Sequence, residues 1–478
     1  MTRSVHDPPA PERADPDTPE LASELLDLRD KPPEPLAPSP QALGVWELAW
    51  PTIVATATQT LVRWADLKMV GDLGMEAVAG VSAGGLVYWL LQSSVMAVTT
   101  GLAALLARAA GARDERLADA TLRQSIVLGS LFGLVTLAAM LPLTEPLISL
   151  YCVEPLVVSY GSEYLRWLLI GNVPFTLTFV FGAALRAAGD SRTPLWIGII
   201  ANVLNVFLNW VLIYGHLGAP ALGVAGAGIA SSLAMLFQVV VFWPLWTSGR
   251  TILRLTHSSF RPDPGLWRRI MHIGYPAAIE GVLFHFGLFA FMRLISMYGT
   301  AEFTAYQLGA QILALSFLPG IGFMTAAATL VGQHLGEREP ERAARSGWRS
   351  MLGAITAMSL LGAGIIALSE PLARWFIDDA RVVPLVVDFI WILGAVQPLM
   401  AIEFALSGAL RGAGDTRFPL LAIFIGLFMC RLVPATLATL VFHAPIQIVW
   451  CTLVLDYAAK SVMLSVRFKR GRWKQIEV

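Results

Sequence analysis

The sequence predicts an all-α polytopic membrane protein of twelve transmembrane helices, built as two parallel six-helix lobes around a central cleft. Three observations predict it. Of 478 residues, 56% are hydrophobic and 14% charged, far from the balance of a soluble domain. Apolar runs of about 20 residues, the length a helix needs to cross a bilayer, recur along nearly the whole chain. The first part of the pattern then returns 225 residues later, with Trp50-Pro51 as Tyr275-Pro276, Gly74 as Gly299 and Gly111 as Gly336. The box from Leu185 to Pro194 returns in the same register from Leu410 to Pro419, with no insertion or deletion between Trp50 and Pro194.

Residues 1–42 carry ten prolines and nine acids with little apolar content, so they are predicted to form a disordered cytoplasmic tail. Spans follow near 46–69, 85–108, 122–143, 164–186, 194–214 and 222–247, then 270–297, 307–331, 350–368, 386–411, 419–441 and 446–466. The domain plan is an N-lobe at 43–248, a connection at 249–269, a C-lobe at 270–466 and a basic tail at 467–478. The even-numbered connections hold the arginines, among them Arg108, Arg113, Arg116, Arg192, Arg261, Arg338 and Arg417, whereas the odd-numbered ones offer Lys68, Arg374 and Arg381. This sidedness predicts cytoplasmic termini. Six spans per half bring both copies into the membrane in the same direction, a parallel repeat that permits alternating access at a shared cleft. The architecture favours a transporter.

The residues argue against other classes. Cys152, Cys430 and Cys451 have no metal-ligand spacing, and the seven histidines are dispersed, with no His-Glu-x-x-His pattern. No enzyme, metal, cofactor or nucleic-acid partner is expected. The expected partners are a small-molecule substrate and the bilayer, with the chain acting as a monomer.

Span 1 holds an acid inside its apolar run. Thr52, Thr56, Gln59, Arg63 and Asp66 recur at spacings of 4, 3, 4 and 3, hence on one helical face. A charge at membrane depth costs roughly 2.5–3.5 kcal/mol on insertion scales and normally faces a cavity, a partner or protein interior. Arg63, three residues before Asp66, is a competing ion-pair partner. Span 5 carries Asn202, Asn205 and Asn209, again on one face. The echoes of Asp66, Asn205 and Asn209 are Phe291, Cys430 and Pro434, so this polar set is confined to one half. It is a proton or cation site or interhelical hydrogen-bond glue. In the second half Glu280, Glu403, Gln307, Gln311 and Tyr306 are candidates for the substrate cavity, as Gln59 and Asn202 are in the first. An ion pair with Arg293 or Arg431 is the competing role for either glutamate. The repeated box reads as structural: glycine permits the turn, aspartate caps the next helix and proline starts it.

On Pro51, Asp66 through Gly71 and Gly74, Asn205 to Asn209, Gly223 to Gly226 and the two boxes, the chain resembles the MATE (multidrug and toxic compound extrusion) family over residues 43–466. Gly274-Tyr275-Pro276 and Ser316 to Gly320 look most like the bacterial branch named after DNA-damage-inducible protein F. The resemblance implies cation-coupled efflux of amphipathic, often cationic compounds across the bacterial plasma membrane, with Asp66 and Asn205 at the coupling site. Asn209 stands where many members have an aspartate, and Arg63 and Lys68 flank Asp66 closely. The family's helix-7 and helix-10 acids fall near Phe284 and Met400 rather than at Glu280 and Glu403. One acid rather than two suits a proton better than sodium, which wants hard oxygen ligands. A flippase for a lipid-linked or metabolite substrate is the alternative within the same superfamily.

Overall fold

A computed structural model of the chain describes residues 44–150, 154–247, 260–377 and 379–476. The predicted tail at 1–42, Cys152 and much of the 249–269 connection lie outside the described residues. Twelve helical spans are present. The first six are α1 (Val45–Gly71), α2 (Met75–Gly111), α3 (Glu115–Met140), α4 in two pieces (Pro155–Ile170 and Asn172–Ala187), α5 (Arg192–Tyr214) and α6 (Gly223–Thr247). The second six are α7 (Pro264–Ile295), α8 (Thr300–Gly336), α9 (Pro340–Ala367), α10 (Val382–Gly412), α11 (Arg417–Leu440) and α12 (Ile446–Arg470). No strand occurs among the described residues.

Ten of these helices are long and apolar enough to cross a membrane, and the two pieces of α4, bent by 55°, make an eleventh. The remaining one is α1, whose apolar run is diluted by the polar stripe that singled it out. α11 carries a π-helical stretch, Phe424–Leu432. The basic tail starts later than expected: α12 continues to Arg470, and buried Trp473 then stacks on Phe468 at 4.7 Å and donates to its carbonyl.

The repeat extends to backbone detail. Positive φ angles recur in matched pairs, Gly74 and Gly299 (115° and 132°), Arg113 and Arg338 (56° and 61°), and Gly189 and Gly414 (100° and 87°). At Gly189 and Gly414 the left-handed turn closes the box, and glycine enters it without a Cβ clash. A short helix follows the third span of each half, Thr144–Ser149 and Ser369–Phe376, in the same offset.

The two halves meet at the arginine-rich end. α2 packs against α7 and α8, and α8 against α1. A Cβ at Gly274 would strike the Ala97 carbonyl, and one at Gly111 would strike the Gln333 carbonyl. Hydrogen bonds reinforce this contact, from Arg108 to Ala413 O (3.2 Å), Thr329 to Arg186 O (3.1 Å) and Gln333 to Ala187 O (2.9 Å). Toward the other end, Leu61 and Trp64 on α1 and Phe286 and Phe289 on α7 are exposed. Beyond this closed arginine-rich contact, residues of both halves line a cavity.

Candidate functional site

The polar face of α1 meets the asparagine face of α5. Asn209, fully buried, donates from Nδ2 to Asp66 Oδ1 at 2.5 Å. The Asn205 amide fits with its nitrogen toward the same carboxylate oxygen, at 3.0 Å, while its oxygen accepts from the Ser231 N–H at 3.2 Å; the amide orientation follows from that hydrogen-bond pattern. One carboxylate therefore receives two amide N–H groups. Arg63 does not pair with it: among the described residues no ion pair joins them, and the guanidinium lies over the Trp89 ring, 5.7 Å from its centroid. The α1 threonines turn inward on their own helix, Thr52 donating to Leu48 O and Thr56 to Thr52 O. Asn202 is half-buried and Gln59 exposed, and neither joins the cluster.

A cavity of about 300 Å³ opens between the halves. Trp89, Phe175 and Phe179 wall it on the first-half side, and Phe284, Phe317 and Phe404 on the second. Its charged wall comes from the second half. Glu280 on α7 pairs with Arg411 on α10 at 2.5 Å, and Glu403 on α10 with Lys460 on α12 at 2.9 Å. Lys460 also reaches Asp456 at 3.2 Å, and Asp456 binds Arg431 at 2.6 Å. The Arg431 guanidinium faces the rings of Phe291, at 5.6 Å, and Tyr457, at 5.5 Å. Phe291 is the echo of Asp66. Where the first half holds an acid among amides, the second holds a ring against a cation.

The charges on this wall balance, two carboxylates against two cations. Three buried polar atoms at the wall, Glu280 Oε2, Glu403 Oε2 and Arg411 Nε, have no hydrogen-bond partner. Buried polar groups are normally satisfied, so the ion pairs of this wall are incompletely satisfied beside the cavity. The aromatic side supplies apolar and cation-attracting area.

The MatE family model matches residues 51–211 and again 276–437, the two copies of the repeat. The chain belongs to the MatE family. A probable multidrug resistance protein NorM of Thermotoga maritima is 30% identical over 439 residues, 90% of this chain and 92% of that one. Multidrug resistance protein NorM of Burkholderia vietnamiensis is 27% identical over 445 residues, 90% of this chain and 94% of that one. Among solved structures, one of MATE in complex with MaD3S has a TM-score of 0.82 at 22% identity, covering 90% of this chain and 94% of that one. An outward-facing multidrug resistance MATE transporter of the MOP superfamily gives 0.81 at 23% identity, with the same coverage. This MatE chain is a multi-pass membrane transporter with the twelve-helix, two-lobe fold, not an enzyme. The relatives carry the NorM name and do not address the branch that the sequence resembles.

The geometry of this MatE protein corrects several sequence expectations. Tyr306 is not a cavity residue: it is buried against Phe291 (5.8 Å) and Phe389 (5.4 Å) in the second-half core, because its face of α8 points at α10. Gln307 and Gln311 are exposed and outside the cavity lining. Glu280 and Glu403 do line it, but their partners are Arg411 and Lys460 rather than Arg293 and Arg431. Asp190 caps α5 as expected, accepting from Arg192 N (3.1 Å) and Thr193 N (2.9 Å). The second copy departs: Asp415 accepts from Arg467 instead, at 2.7 Å. Arg411, Asp456 and Lys460 were missed as site residues. The acid and base four apart inside span 12 were a legible signal, since two charges in an apolar span need partners.

Proposed function

We propose that this protein is a secondary efflux transporter of the bacterial inner membrane that exports amphipathic, cationic organic compounds in exchange for protons, as a monomer with both termini cytoplasmic. The observation that carries the reading is the Asp66 cluster: one carboxylate, no cation paired to it, and two amides directing N–H groups at it. That donor set suits a proton. A sodium ion wants hard oxygen ligands, and here the amide nitrogens, not their oxygens, face the acid. Multidrug export rests on the NorM relatives, and the aromatic cavity wall supports it.

Arginine sidedness assigns the closed end of the molecule to the cytoplasm, so the described conformation is outward-facing. A proton entering from outside neutralises Asp66 and weakens its charge-assisted hold on Asn205 and Asn209. The cluster links α1 to α5, so protonation alters the contact between those helices. Ionised Asp66 favours the state in which the amides are clamped, and neutral Asp66 the state in which they are not. Such differential affinity for two states is what coupling requires. Membrane potential adds about 2.3 kcal/mol per charge per 100 mV.

The test is flux of a fluorescent organic cation in proteoliposomes, with and without a pH gradient, for wild type and Asp66→Asn. Gradient-driven efflux disappears in the variant while the protein still inserts. Efflux with unchanged pH dependence would remove Asp66 from the coupling role. A second reading, a lipid or metabolite flippase, would have an acidic headgroup compete with Glu280 and Glu403 for Arg411 and Lys460 on the cavity wall. Movement of a fluorescent acidic lipid, without movement of the cation, would select it.

A further inference from the structure

The second copy of the repeated box opens a cavity at the arginine-rich end, where α7 and α11 begin and α12 ends. It measures about 390 Å³, and its walls include His272, Ile273, Asp415, Arg417, Phe418 and Arg467. Two cations and one acid stand in it with a histidine. Asp415 is committed to Arg467 at 2.7 Å, and the Arg467 guanidinium also lies over the Phe418 ring, 5.2 Å from its centroid. Arg417 has no carboxylate partner among the described residues, and its Nη2 rests 3.2 Å from His272 Nε2. A guanidinium hydrogen-bonded to an imidazole rather than to a carboxylate keeps its charge for an incoming anion.

The arrangement is not a by-product of the duplication. The first-half counterpart of His272 is Glu47, an acid. Asp190, the counterpart of Asp415, spends its carboxylate on the start of α5.

From this cavity a row of exposed apolar residues on α7 and α11 runs toward the other end of the molecule. Tyr275, Ile279, Val282 and Phe286 are exposed on α7 at spacings of 4, 3 and 4, on the side of the helix away from the cavity residues Glu280 and Phe284. Leu421 and Phe424 are exposed on α11, and Phe286 stacks with Phe428 across the gap at 6.4 Å. In a membrane protein such an exposed apolar surface faces acyl chains, and the basic cavity at its end lies at headgroup level. Basic pockets between transmembrane helices at that level take acidic headgroups.

We propose that this cavity is a binding site for an anionic phospholipid. Arg417 and His272 hold the phosphodiester, and one acyl chain lies along the exposed apolar residues of α7 and α11. The site is separate from the substrate cavity and independent of the coupling mechanism.

The test uses the full chain in detergent, titrated with dioleoylphosphatidylglycerol, dioleoylphosphatidylcholine or inorganic phosphate and read by native mass spectrometry and thermal shift. Wild type prefers phosphatidylglycerol over phosphatidylcholine by about tenfold in apparent affinity, equivalent to roughly 1.4 kcal/mol. Arg417→Gln with His272→Gln removes the preference and leaves phosphatidylcholine binding as in wild type. Arg417→Lys keeps part of it, and Arg345→Gln, at an exposed arginine elsewhere on the same face, keeps all of it. Should the double variant not fold, the single His272→Gln and Arg417→Lys variants carry the test, each lowering the preference. No preference in wild type, or equal loss in Arg345→Gln, overturns the proposal. A shift by inorganic phosphate as large as that by phosphatidylglycerol overturns the lipid assignment in favour of a free-anion site.

Discussion

Lys460→Met removes the cation that Glu403 and Asp456 share. In the native chain the quartet Arg431, Asp456, Lys460 and Glu403 carries two charges of each sign, and all four side chains are at most 13% exposed. Asp456 retains Arg431 at 2.6 Å after the substitution. Glu403 retains nothing, since its other oxygen, Oε2, already lacks a partner. Breaking one side of a buried pair leaves an uncompensated charge, a loss of about 3–5 kcal/mol. Methionine fills much of the lysine volume, so a packing defect contributes little. The double variant Lys460→Met/Glu403→Gln is electrically neutral again and recovers most of the loss. The coupling between the two sites is expected at about 3 kcal/mol, the upper end of the usual range for directly contacting residues. Denaturant unfolding of purified protein in a fixed detergent measures both variants. A single variant within about 1 kcal/mol of wild type, or a double variant no better than the single, would refute the reasoning: Glu403 would then be solvated through the cavity and independent of Lys460.

Three further outcomes are expected. Asn205→Ala reduces gradient-driven efflux by about tenfold, matching the loss of one hydrogen bond to a charged group, while Cys430→Ala, 225 residues on in the second half, stays near wild type at equal expression. In a cysteine-free background, cysteines at Ala219 or Thr300 react with an impermeant thiol reagent added outside, whereas those at Arg116 or Arg261 do not; the reverse pattern would invert the topology. Asp190→Ala lowers stability by about 1 kcal/mol through loss of a helix cap, and Arg467→Leu leaves that value unchanged because Arg467 partners Asp415, not Asp190.

What could be read from the chain divides along a physical line. A helix fixes the angle between its own residues, so Asp66 with its stripe, and Asn205 with Asn209, were each legible as faces. Duplication fixed the architecture, because the same spacing of prolines and glycines recurs where the same backbone turns recur. Neither rule gives the rotation of one helix against its neighbour. Tyr306 and Gln307 are adjacent in sequence and about 100° apart on α8, and only the packing of α8 on α10 decides which is buried. Glu280 and Arg411 lie on helices three spans apart, and no periodicity links them.

The two copies of the box show the same limit from the other side. Identical residues at Asp190 and Asp415 predict identical caps, and local geometry delivers the first one. In the second copy Arg467 arrives from α12, and a charged donor at 2.7 Å outcompetes the backbone N–H groups. Duplicated sequence therefore repeats the backbone turn of the box, at Gly189 and again at Gly414. It does not guarantee duplicated chemistry, which depends on what the neighbouring helix brings. Asp66 and Phe291 follow this logic at the centre of the protein: one fold, used twice, with an acid held by amides and no salt bridge in one half and a salt-bridged charge network in the other. A carboxylate without a paired cation can change its protonation without breaking an ion pair, whereas each acid of the second-half network cannot. That asymmetry is the physical reason to seek the coupling step in the first half and ligand contacts at the charged wall of the second.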